Sequence, residues 1–151
     1  MPCVNNITTK SRSKGVRIID SKKTSSEKIA FFSINISYAR LSSGVIIKGR
    51  ENLYGCIRKY WRLKKSIEKV IEADYIAGVF HGEIKGIYKN FPDWKLVRDI
   101  EEFQDDEEVK KSPKYLERYA LAHKKEDAED LIKEKYIGKE FRLYGSVGYN
   151  F

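Results

Sequence analysis

The sequence predicts a mixed α+β domain, and three stretches carry that expectation. Residues 29–36, IAFFSINI, have the β-branched and aromatic content of a buried strand. Across 51–72, Leu53, Cys56, Ile57, Tyr60, Trp61 and Leu63 recur near a 3.6-residue period, as one face of a helix requires. Residues 73–89, ADYIAGVFHGEIKGIYK, place two apolar runs around His81-Gly82 and so read as a hairpin with strands at 74–80 and 83–89. Gly82 supplies the positive φ that a two-residue turn demands.

The rest of the chain follows in order. Residues 1–28 carry seven cations against two acids, with poor apolar periodicity apart from Val16, Ile18 and Ile19. They read either as a basic N-terminal arm, partly flexible, or as a short first strand at 15–19 between flexible flanks. The single folded domain is expected over 29–151. After a loop at Ser42, Ser43 and Gly44, Val45 to Lys48 suggests a short extended piece. The 51–72 helix divides if Ser66 caps a second helix from Ile67 to Glu72.

Pro92 and Asp93 interrupt the chain, and Trp94 to Val97 suggests a further strand. Residues 99–112, with Asp105, Asp106, Glu107 and Glu108 in succession, read as an exposed loop or frayed helix. Tyr115 to Leu121 fits strand or helix. Acids lead and lysines close the stretch 126–136, which suits a helix dipole, and Gly138 fits its C-terminal end. Phe141, Leu143, Val147 and Tyr149 alternate about Gly145 as a terminal hairpin would.

Composition narrows the function classes. A chain of 151 residues that is 41% hydrophobic and 13% aromatic is long enough for a real core. A net charge of +8 favours polyanionic partners: nucleic acid, acidic lipid or an acidic protein. No run approaches the roughly 18 apolar residues of a membrane span, and no secretory apolar segment follows Met1. Two cysteines, Cys3 and Cys56, suit a reducing compartment. A cytoplasmic protein, or one packaged with a virus or mobile element, is the expectation, with no membrane partner.

Most chemical motifs are missing. The two histidines, His81 and His123, have none of the H-x-E, HExxH or CxxC spacings of a metal centre, and no phosphate loop or nucleophile elbow occurs. No metal or cofactor is expected. Gly86-Ile87-Tyr88 and Tyr136-Ile137-Gly138 evoke the two triplets of GIY-YIG nucleases, but nearly fifty residues part them. His81 beside Glu83 offers the pair of groups a small RNase-like enzyme would use for acid–base catalysis.

The basic stretch from Arg58 to Lys65 is more informative. It holds Arg58, Lys59, Arg62, Lys64 and Lys65, with Tyr60 and Trp61 between them. Cations that neutralise phosphates and rings that stack on bases are the parts of a single-strand binding surface. The alternative is an amphipathic helix whose rings pack inward and whose cations are merely solvated.

The order of features over 29–97 resembles the PUA-like superfamily, which includes the YTH, EVE and ASCH domains. Phe31-Phe32-Ser33-Ile34 opens on a strand, Trp61 follows in the basic stretch, the apolar hairpin comes next, and Trp94 closes the series. Gly82-Glu83-Ile84-Lys85-Gly86 occupies the place of a central G-x-F-x-G pattern. The hairpin is also similar to an ADYVLAVY-G-I-GVF pattern of small bacterial and phage proteins. The resemblance implies a small mixed β-barrel with helices packed outside, holding one nucleobase, often modified, in an aromatic pocket. On that reading Trp61 and Trp94 are the pocket rings, and Ser33 and Asn35 bond the base edge. Arg58, Tyr60, Arg62, Lys64 and Lys65 then supply the nucleic-acid surface around it. DNA and RNA stay equally open. A phage or mobile-element protein that binds and inhibits a host defence protein is the competing class.

Overall fold

The computed structural model describes residues 27–151. The arm expected at 1–28 falls almost wholly outside them. The fold is α+β, built on two sheets with several helices, and among the described residues the sheets do not close into a barrel. The larger sheet has four strands in the order β4 (Glu83–Lys89), β3 (Tyr75–Phe80), β1 (Ile29–Ser33) and β7 (Val147–Tyr149). β1 runs parallel to β3, pairing Ile29 with Tyr75 and Ser33 with Val79, while β3–β4 and β1–β7 are antiparallel. The smaller sheet is antiparallel, in the order β2 (Lys59–Trp61), β6 (Tyr119–Leu121) and β5 (Trp94–Leu96).

β1 is buried on both faces, and its period of two divides the core. Ala30 and Phe32 join Tyr54, Cys56, Ile57, Leu63, Trp94 and Leu121 in one cluster. Ile29 and Phe31 join Ala77, Val79, Ile84, Ile87, Tyr136 and Phe141 in another. A third cluster, with Tyr60, Val97, Ile100, Phe103, Val109 and Ala120, lies under the smaller sheet.

The hairpin forms as expected, with His81 and Gly82 both at positive φ, 50° and 85°. Strands also form at Trp94 and, after a short 3-10 turn over Pro113–Glu117, at Tyr119. The helix expected over 126–136 is α5, Asp130–Tyr136, with Gly138 at φ 90° beyond its end.

Four expectations are corrected. β1 stops at Ser33, and Asn35–Ser42 is a helix, α1, so Asn35 is helical rather than extended. Val45 to Ile47 is coil that runs into a turn at 48–49. The expected helix over 51–72 is three elements: α2 (Leu53–Ile57), β2, and α3 (Ile67–Glu72). Asn52 caps α2 by accepting from the Gly55 N–H at 2.8 Å. The chain then turns because β6 offers a partner: the Leu121 N–H donates to the Arg58 carbonyl at 2.9 Å. Finally, the C-terminal hairpin does not form, because β7 pairs with β1 instead.

Two glycines explain how α2 reaches the larger sheet. Gly78 and Gly86 sit opposite each other on β3 and β4. A Cβ on Gly78 would lie 2.7 Å from Ile57 Cγ1, and one on Gly86 would lie 2.5 Å from Leu53 Cδ2. Absence of those side chains lets Leu53 and Ile57 press onto the sheet.

Candidate nucleic-acid interface

The indoles expected to line a pocket are tied into the core. Trp94 is 5% exposed and donates its Nε1–H to Asn90 Oδ1 at 2.8 Å. Its ring stacks on Phe32 with centroids 5.6 Å apart. Trp61 is half-buried, lies 5.0 Å from the same Phe32 ring, and donates to the Ile57 carbonyl. Each indole thus has both an aromatic partner and a hydrogen-bond partner inside the protein. Ser33 donates its backbone N–H to the Ser146 carbonyl, and Asn35 Oδ1 accepts from the His81 N–H at 2.8 Å. Those bonds tie β7 and the hairpin turn to the end of β1.

The basic stretch splits in two because β2 is a strand, not a helix. Lys59 and Tyr60 point into the protein, 3% and 4% exposed. Lys59 Nζ lies 2.7 Å from Asp106 Oδ2, and the Tyr60 hydroxyl donates to the same oxygen. Burial lowers the Lys59 pKa, against the opposing pull of Asp106. Burial pushes the Tyr60 phenol far up, and its bond to Asp106 adds to that. The acidic run, expected as an exposed loop or frayed helix, enters a short helix at Glu107 but sends Asp106 inward and Glu108 onto Arg50, 2.8 Å from its Nε. Arg58 is also committed: its Nε and an Nη both donate to the Leu121 carbonyl, and its guanidinium lies over the Tyr54 and Phe103 rings. Arg58 and Tyr60, expected as contact residues, are structural.

Arg62, Lys64 and Lys65 remain exposed. Arg62 gains a partner the sequence does not announce. Its charge acts on Arg118, at the start of β6, as does that of Arg50. Burial lowers the Arg118 pKa first, and those two guanidinium charges lower it further. Among the described residues neither Arg62 nor Arg118 is ion-paired to a carboxylate. Arg118 lies over the Tyr115 ring, 5.1 Å from its centroid, and Lys114 approaches the same ring at 5.5 Å. Tyr115 in turn packs 5.1 Å from Tyr60, whose ring carries Arg50 at 4.8 Å. Arg118 and Arg50 thus sit over two tyrosines that pack on each other, and the Arg62 charge acts on Arg118. Glu108 neutralises Arg50, so the charge left without a carboxylate is that of Arg62 and Arg118, and a bound anion relieves it.

The hairpin turn forms a second group. His81, Glu83, Glu140 and Arg142 line a cleft of about 330 Å³ floored by Phe141, Gly82 and Gly138. Glu83 and Glu140 face each other in an isolated antiparallel bridge. The Gly138 N–H donates to the Ile84 carbonyl at 2.9 Å, so the YIG triplet runs beside the strand that carries GIY. Among the described residues no group of three or more His, Cys, Asp or Glu side chains is placed to hold a metal ion. No helix among them is long and apolar enough to cross a membrane. No family model, curated protein or solved structure matches the chain.

Proposed function

We propose that this protein is a nucleic-acid-binding module of PUA-like type that engages single strands through the Arg62–Arg118 surface. The observation that carries the reading is Arg118 over the Tyr115 ring, itself packed on Tyr60 beneath Arg50, with the Arg62 charge acting on Arg118 and no carboxylate paired to Arg62 or Arg118 among the described residues. Arg62 and Arg118, with Lys64, Lys65 and Lys114 around them, bind backbone phosphates. The order of strand, basic stretch, hairpin and Trp94 over 29–97 supports the PUA-like part. The base contact is assigned away from Trp94, whose indole is engaged by Phe32 and Asn90.

The test is fluorescence anisotropy with labelled single-stranded RNA and DNA 12-mers across a salt series. Phosphate binding requires log affinity to fall linearly with log salt, at about 0.7 per phosphate neutralised. Affinity independent of salt would refute the reading.

A second reading has its own observation: the cleft holding His81, Glu83, Glu140 and Arg142. An imidazole, two carboxylates and a guanidinium suffice for acid–base cleavage of a phosphodiester. Degradation of labelled RNA, lost in His81→Ala, would favour this enzyme over the binder.

A further inference from the structure

We propose that the cleft between α1, the 47–50 turn and the short helix α4 (Glu107–Lys111) with its following 3-10 turn holds one nucleotide unit, base and phosphate together. This rests on the nucleic-acid reading above and names where the bound strand places an unstacked base.

The cleft measures about 340 Å³, near the lower end of the roughly 300–1,000 Å³ usual for small-molecule sites. Ile47 and Tyr115 are the apolar and aromatic residues of its lining, and Ser112 is a further polar one. Cations come from three places: Arg40 of α1, Lys111 at the end of α4, and Lys114. Glu107 and Glu108 complete the lining, and a carboxylate accepts from the exocyclic amine of a base or from sugar hydroxyls. A ring wall, an apolar wall, cations and acceptors are together what a nucleotide uses.

Other ligand classes fit less well. Both carboxylates already have cationic partners, Glu107 with Lys111 at 3.1 Å and Glu108 with Arg50 at 2.8 Å and Arg40 at 3.7 Å, so their charge is balanced and no bare carboxylate pair is left to hold a metal ion. Lys114 has no carboxylate partner among the described residues, only the Tyr115 ring. That leaves an uncompensated positive charge for phosphate.

Position links the cleft to the arginines. Tyr115 belongs to both, lining the cleft while Arg118 lies over its ring. A strand with a phosphate on Arg118 therefore comes within reach of the Tyr115 side of the cleft. The walls are also fixed before any ligand arrives. The Glu107 N–H donates to the Lys48 carbonyl at 3.0 Å, and a Cβ on Gly49 would lie 2.5 Å from Asp106 Cγ, so the 47–50 turn is pressed onto the start of α4. Such preorganisation spares the ordering cost of binding.

The nucleotide unit has two sources, a free mononucleotide or a residue within a strand, and the experiment separates them. The full chain and its Ile47→Glu and Ser112→Trp variants are titrated with AMP, GMP, CMP and UMP, with a single-stranded 12-mer, and with the corresponding duplex. A base in the cleft predicts that both variants lose about tenfold in 12-mer affinity, the loss expected when one stacked base is removed, with duplex affinity unchanged. Arg118→Ala instead weakens strand and duplex alike. Wild-type 12-mer affinity in both folded variants overturns the cleft assignment and leaves the phosphate surface standing. If the wild-type chain binds neither polymer, the phosphate surface falls. Mononucleotide binding that Ile47→Glu abolishes would then keep the cleft as a free-nucleotide site, and its absence would overturn it too.

Discussion

Lys59 Nζ and Asp106 Oδ2 meet at 2.7 Å with both side chains almost fully buried, 3% and 7% exposed. They join β2 to the turn before α4, forty-seven residues on in the chain. Gly49 closes over Asp106 from the third side. This ion pair is the joint on which the cleft and the arginine surface are both mounted.

Breaking it from one side leaves an uncompensated buried charge. Asp106→Ala is expected to lose about 3–5 kcal/mol of stability. Lys59→Met combined with Asp106→Leu should lose markedly less, because no lone charge remains. Urea denaturation of the three proteins checks the order.

Glu27 predicts an acid-sensitive component. Burial raises its pKa, but hydrogen bonds from the Tyr136 hydroxyl at 2.7 Å and Lys135 at 3.0 Å outweigh that and bring it down to about 2. A folded-state pKa below the unfolded value gives stability that is full above about pH 4.5 and is lost as pH falls towards 2. Glu27→Gln should flatten that part of the stability–pH curve, measured as urea midpoints between pH 6 and 2.5.

The two free arginines predict a change in salt slope. Arg62→Ala and Arg118→Ala should each weaken single-strand binding at every sequence tested and reduce the slope of log affinity against log salt by about 0.7. Lys133→Ala, on α5 against the opposite face of the larger sheet, should leave it unchanged. Anisotropy titrations at four salt concentrations give the slopes.

Trp94 separates packing from recognition. Trp94→Phe removes the N–H that satisfies Asn90 Oδ1 and part of the contact with Phe32. A loss of about 1–3 kcal/mol is expected, with affinity per folded molecule intact. Weaker binding at unchanged stability would return this indole to the ligand.

Gly78 should tolerate nothing larger than hydrogen. Gly78→Ala brings a methyl within 2.7 Å of Ile57 and should cost about 1–3 kcal/mol. Adding Ile57→Ala should recover part of it if the clash is the cause, as thermal denaturation of the single and double variants would show.

The elements legible in the sequence were those whose pattern is local. The hairpin at 75–89 follows from two apolar runs and a turn that needs positive φ, and the strand from Ile29 follows from its β-branched and aromatic residues. Helix α5 follows from the order of its charges. Site residues were legible only as composition: Arg62, Lys64 and Lys65 are cations in a basic stretch, and the structure leaves them exposed. Arg118 and Tyr115 carry no such mark, since a lone arginine and a lone tyrosine fifty residues away resemble any surface pair.

What the chain dictates by itself is the α+β class, the hairpin and the excess of positive charge, because these depend on neighbours within a few residues or on simple counting. Only the tertiary structure decided that Arg58 to Trp61 turns from helix to strand, that Tyr60 and Lys59 face Asp106, and that β7 pairs with β1. Periodicity near 3.6 and an exposed acidic run were reasonable local readings. They gave way because a partner strand and a buried counter-charge, both distant in sequence, lower the free energy by more than local helix preference, which is worth only tenths of a kcal/mol per residue, roughly up to 0.7.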